Sequence, residues 1–142
     1  MGGKLSEGIN FKDDLGRALL LVGLPYANLQ DAELQHTLQH LARATPASSP
    51  SLSREAWGLY TDMCMRTVNQ TIGRVIRHAA DYAVVLLLDE RFGGHANGVT
   101  KKIPEWMQPS LQHTQHFGEC FRSIREFFAE KKQQQQQKQL QP

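Results

Sequence analysis

The amino-acid sequence predicts an α/β fold in which parallel strands are flanked by helices. Two runs carry the strand assignment. "ALLLVGLP", Ala18 to Pro25, and "YAVVLLLDE", Tyr82 to Glu90, are apolar without alternation, about strand length, and closed by a polar residue or a proline. Strands of that kind are covered on both faces. Two helix-periodic stretches lie between them, so the order is strand, helix, helix, strand, which suits a layered architecture with right-handed crossovers.

The elements follow in chain order. The glycine-rich opening "GGKLSEGINF", Gly2 to Phe11, is either a plain turn leading into a strand or a loop whose amides approach a phosphate. In the second case Gly2, Gly3 and Gly8 permit the approach, Ser6 adds a hydroxyl and Lys4 a point charge. It is not a P-loop, because that motif needs serine or threonine after its lysine and Leu5 follows Lys4. The first apolar run comes next, and its valine and Gly-Leu-Pro ending favour a strand over a buried helical turn. Leu34, Leu38 and Leu41 then repeat at helical spacing through "DAELQHTLQHLARA", with Asn28 or Asp31 as the cap. "TPASSPSLS", Thr45 to Ser53, is a surface connector. Glu55 to His78 forms the second helical stretch, and the second strand follows it. "GGHANGVTKK" reads as a glycine-rich loop, "IPEWMQPSLQ" is interrupted by two prolines, and Phe117 to Lys132 resumes helical spacing through Phe121, Ile124 and Phe128. The closing "KKQQQQQKQLQP" carries too little apolar surface to stay ordered. The expected organisation is one domain over residues 1–132 and a disordered glutamine-rich tail over 133–142.

Bulk composition sets bounds. The chain has 142 residues, one domain's worth, and a net charge of +2, so any nucleic-acid site must be a local basic patch. Its two cysteines, Cys64 and Cys120, lack the spacing of a metal site or a disulfide framework and point to a reducing compartment. No apolar stretch is long enough to span a membrane, and "MGGKLSEGIN" lacks the apolar core of a signal sequence. His36 and His40 are spaced for a metal but have no third ligand nearby.

The most informative segment is "NQTIGRVIRH", Asn69 to His78. On a continuous helix Gln70, Arg74 and Arg77 share one narrow stripe with Arg66 near its edge, while Val68, Ile72, Val75, Ile76 and Ala79 take the other side. A solvated helix face produces such a stripe in most proteins. Two details oppose that explanation here: no acidic residue lies between Arg66 and His78, and Gly73 inside the helix costs about 1 kcal/mol relative to alanine. The stripe therefore suits an anionic ligand.

"GKLSEGINF", Gly3 to Phe11, resembles motif V, and "QTIGRVIR", Gln70 to Arg77, resembles motif VI (Q-x-x-G-R-x-x-R) of the XPD-type superfamily 2 DNA helicases. "DDLGRALLLVGLPYAN", "LLLDERF" and "KKIPEWM" resemble the same family in the same order, and Asn10 with Phe11 matches its Chl-type, cohesion-associated branch. The resemblance runs from Gly2 to about Lys132. It implies the C-terminal part of the second RecA-like domain (P-loop NTPase-like), with ATP and Mg²⁺ in the cleft between two such domains and single-stranded DNA across both. The P-loop, the Walker B box and the iron–sulfur cluster of the family belong to the first domain and are not in this sequence.

Carried over by residue, motif VI makes Arg74 and Arg77 arginine fingers for the γ-phosphate. A finger of this kind contributes roughly 10³ to 10⁵ in rate. Gln70 is implied to position the nucleotide or the attacking water, and Gly73 to let the backbone approach it. Motif V is implied to place Lys4, Ser6 and Glu7 on the DNA side and Gly8 and Asn10 on the nucleotide side. Asn10 stands where the wider family has aspartate, so a role needing a carboxylate there is in doubt. Asp89 and Arg91, at the end of the second strand, either support the motif VI helix or form a strand-end salt bridge. Trp57 and Trp106 are expected in the core, with stacking on bases as the alternative.

Three functions follow: a part of an ATP-dependent DNA helicase, inactive without its first domain; a non-catalytic module that binds nucleic acid or a helicase partner; or a small stand-alone nucleotide-binding protein, which the missing P-loop disfavours. Met1 falls where the family has the middle of a strand, which leads us to expect a fragment, a truncated transcript or an incomplete gene model of poor autonomous stability. Nuclear location, DNA repair and sister chromatid cohesion are implied by the resemblance alone.

Overall fold

The computed structural model describes residues 16–44, 54–93 and 98–139. The chain divides into two compact units, Met1–Pro109 and Ser110–Pro142. In the first unit, strand β1 (Ala18–Val22) is followed by helix α1 (Ala32–Ala44), helix α2 (Arg54–Ile72) and strand β2 (Val84–Leu88). This is the predicted element order. β1 and β2 pair in parallel with Ala18 opposite Val84 and Val22 opposite Leu88.

Each boundary has a local cause. β1 stops at Gly23, whose φ of 77° turns the chain where a side chain would be strained, while the Gly23 N–H still donates to Leu88 O at 3.0 Å. Of the two candidate caps for α1, Asp31 is the one used: its Oδ1 accepts from Leu34 N–H at 3.0 Å. Asn28 instead closes a turn by accepting from Gln30 N–H. Leu34 and Leu38 of α1 pack with Ala56 and Tyr60 of α2, and Tyr26 and Leu41 fill the margin. Further along α2, Cys64, Met65, Val68 and Ile72 are buried, as are Phe92, Val99, Ile103 and Met107 downstream. Among the described residues, the 3-10 turns Glu90–Phe92, Thr100–Lys102 and Glu105–Ser110 carry the chain after β2.

In the first unit three expectations need correction. The second helix ends at Ile72 and does not reach His78. Gly73, Arg74 and Val75 form a turn in which the i→i−4 ladder gives way to shorter bonds, Arg74 N–H to Thr71 O and Val75 N–H to Ile72 O. The strands are not covered on both faces, since Leu20, Val22 and Leu88 are exposed. Nor are the tryptophans in the core. Trp57 stacks its ring on Tyr26, with centroids 6.1 Å apart, and shows the rest to solvent, while Met107 takes the buried position beside Trp106.

The second unit contains helix α3 (Phe117–Gln139), which runs through most of the glutamine stretch expected to be disordered. Lysine and glutamine have good helix propensity, and a helix already nucleated upstream extends into them one bond at a time without needing burial. Residues 132–139 are exposed throughout.

Candidate nucleotide-facing site

α2 delivers the predicted motif to the surface of the first unit. Val68 and Ile72 anchor its last turns in the core, and Val75 returns to the core just after the helix ends. The polar residues between these anchors are left outward: Gln70 is exposed, Arg74 half-buried and Arg77 exposed. Sequence periodicity had them in one helical stripe. The structure instead puts Gln70 on the helix, Arg74 on the turn and Arg77 on the irregular segment after it. Gly73 is exposed, and a methyl group there would meet Asn69 O at 3.4 Å and Gln70 O at 3.7 Å, ordinary contacts, so packing does not require glycine. Arg77 Nε donates to Arg74 O at 3.4 Å, which draws the two residues together.

Beside Gln70 lies an open groove of about 460 Å³ lined by Asp62, Met65, Arg66, Asn69, Gln70 and Lys102. Lys102 reaches α2 twice: its Nζ pairs with Asp62, and its carbonyl accepts from Asn69 Nδ2 at 2.8 Å. Asn69 Oδ1 is buried and has no hydrogen-bond partner among the described residues. Lys102 had no place in the sequence-level site, because nothing local marks it; only the fold brings it beside α2.

The segment after Arg77 is organised by one carboxylate. Asp81 Oδ1 accepts from Arg17 Nη1 at 2.6 Å and from Tyr82 N–H at 2.9 Å, and Oδ2 accepts from Arg77 N–H at 3.2 Å. Burial alone raises the pKa of this carboxyl, and the bonds from Arg17, Arg77 and Tyr82 outweigh it, so the net shift is downward. Asp81 is the first acid after the basic stretch, which was the one signal in the sequence that could have marked it.

At the other end of β2, Asp89 and Arg91 pair with each other and, among the described residues, not with residues 70–77. Arg91 Nε and Nη2 donate to Asp89 at 2.8 and 2.6 Å, and Asp89 Oδ2 also accepts from Leu24 N–H at 3.2 Å. The bidentate bond from Arg91 is the main reason the Asp89 carboxyl is held down at about 2. This is the strand-end salt bridge of the two alternatives. It staples the end of β2 to the chain leaving β1.

Lys4, Ser6, Glu7, Gly8 and Asn10 lie outside the described residues. Among the described residues no three metal-ligating side chains converge, and no helix is long and apolar enough to cross a membrane.

Comparison with known proteins is consistent with this geometry. A family model for the helicase C-terminal domain matches residues 1–110, ending one residue past the first compact unit. The chain is 44% identical over 133 residues, 94% of its length, to the ATP-dependent DNA helicase DDX11 of Danio rerio. It is 39% identical, over 93% of its length, to the ATP-dependent DNA helicase chl1 of Schizosaccharomyces pombe. It is 42% identical, over 92% of its length, to CHL1 of Coccidioides immitis, which bears the same description. The chain spans only 14%, 15% and 16%, respectively, of the length of these relatives. From the match over residues 1–110 and the similarity along almost its whole length, the chain belongs to the helicase C-terminal domain family, among the DDX11/CHL1 ATP-dependent DNA helicases.

Proposed function

We propose that this chain is the part of an ATP-dependent DNA helicase that brings arginine fingers to the nucleotide, Arg74 and Arg77, from across a domain cleft. The observation that supports it is the cationic turn between two core anchors. Ile72 and Val75 are buried, and Arg74 between them has no ion-pair or hydrogen-bond partner for its guanidinium among the described residues. A permanently charged, planar group held this way fits the oxygens of a phosphate.

In this function Arg74 and Arg77 meet the γ-phosphate and stabilise charge as it transfers, and Gln70 orients the nucleotide or the attacking water. Gly73 lets the backbone approach. Gly8 and Asn10 stand on the nucleotide side, and Lys4, Ser6 and Glu7 on the side of a single DNA strand. ATP with Mg²⁺ supplies the phosphoryl group, and a P-loop domain across the cleft holds it. An iron–sulfur cluster does not fit this chain, which has two cysteines, one of them buried in the core. The relatives' description as DNA helicases supports a nuclear location, and the motif resemblance alone suggests work in DNA repair and chromatid cohesion.

The test joins this chain to the P-loop domain of a matched relative and measures phosphate release from ATP. Arg74→Ala and Arg77→Ala are expected to lower kcat by about 10³, the lower end for an arginine finger, with little change in nucleotide affinity. Unchanged hydrolysis in both variants would refute the assignment. A non-catalytic binding module would instead show single-stranded DNA binding by the chain alone, weakening steeply with salt.

A further inference from the structure

We infer that Arg17 and Asp81 are positioning residues for Arg77, a role that rests on the proposed function of that arginine. Arg77 lies beyond α2, which ends at Ile72. What fixes it is the Asp81 carboxylate, only 2% exposed, which bonds the Arg77 N–H with one oxygen and the Tyr82 N–H with the other. The Asp81 N–H also donates to His78 O at 2.9 Å, so residues 77–82 form a short span folded around one side chain.

Arg17 decides where that side chain sits. Its Nη1 donates to Asp81 Oδ1 at 2.6 Å and to Tyr82 O at 2.8 Å, and its guanidinium lies 4.0 Å from the centre of the Tyr82 ring. The Arg17 backbone is itself part of the sheet, because its carbonyl accepts from Val84 N–H at 2.9 Å. The path from the sheet to Arg77 is therefore two hydrogen bonds long and passes through one buried carboxylate. An apolar pair could pack in the same place at less desolvation cost. It could not bond a guanidinium and two amides at once, and that convergence is what sets the direction of the chain at Arg77.

A double-mutant cycle in the joined enzyme described above tests this. Arg17→Gln and Asp81→Asn are each expected to lower kcat about tenfold with the KM for ATP within about twofold, as misplacement of a reacting group does. Arg17→Lys, which keeps a donor and the charge, recovers part of the loss. Combined with Arg77→Ala, Arg17→Gln is expected to add nothing, because both act through the same group. A second readout needs no hydrolysis: in the 142-residue chain, Arg17→Gln is expected to shift the Arg77 amide resonance, because the Arg77 N–H is bonded to the carboxylate that Arg17 holds. If Arg77→Ala slows hydrolysis while Arg17→Gln and Asp81→Asn do not, or if the effects multiply, the positioning role is wrong and the proposed function stands. If Arg77→Ala changes nothing, both are wrong.

Discussion

Replacing Asp89 with asparagine removes the staple at the end of the sheet. The side chain is 9% exposed and accepts four hydrogen bonds, three from Arg91 and one from Leu24 N–H. Asparagine keeps one acceptor and turns the other into a donor, which must then face a donor whichever way the amide points. The carboxyl is held at about 2 against an ordinary value of 3.8, which converts to on the order of 2 kcal/mol favouring the charged form in the folded chain. Arg91 is 42% exposed, so water takes over part of its solvation and the loss does not exceed that figure. The sign follows from the lowered value: this stability is complete above the unfolded carboxyl range and is lost as pH falls through about 2. Urea unfolding of the 142-residue chain, followed by circular dichroism, is the assay. Asp89→Asn is expected to be less stable by about 2 kcal/mol at neutral pH, with the gap to the parent closing as pH falls toward 2. A neutral-pH loss below about 0.5 kcal/mol, the level of an ordinary surface change, would refute the reasoning. So would a gap that does not depend on pH.

Three further outcomes follow from the same geometry. Ile72→Ala, at a position 1% exposed beneath the arginine turn, is expected to cost about 3 kcal/mol, read as a lower urea midpoint. Gly73→Ala is expected to fold like the parent, because a methyl group finds ordinary contact there, yet to slow hydrolysis in the joined enzyme; equal rates would remove the close-approach role of Gly73. Deleting residues 133–142 is expected to lower helical signal without moving the thermal midpoint of the first unit, since the glutamines from 133 to 139 are exposed.

The sequence carried the order of elements because the information was local. Unalternating valine and leucine runs, leucines at helical spacing and an aspartate at the cap all act within a few residues. The end of α2 was harder to read. Arg74 and Arg77 keep helical spacing on paper, and only Gly73 together with the competing bonds to Asp81 shows that the backbone leaves the helix. The clamp was illegible for a different reason: Arg17 and Asp81 are 64 residues apart, and only the parallel pairing of β1 and β2 makes them neighbours. Lys102 and Asp62, 40 residues apart, are the same case. The tail misled because lack of burial was equated with lack of structure, whereas glutamine and lysine extend a helix that phenylalanines began.

The bare face of the sheet makes the abundance of this chain a matter of supply. Leu20, Val22 and Leu88 present apolar surface that water disfavours, so any partner that covers them binds the folded chain in preference to the unfolded one. Such a partner at a hundred times its Kd adds about 2.7 kcal/mol of stability, as much as a well-buried side chain gives. In a cell, chains without a cover are those that chaperones hold and proteases remove.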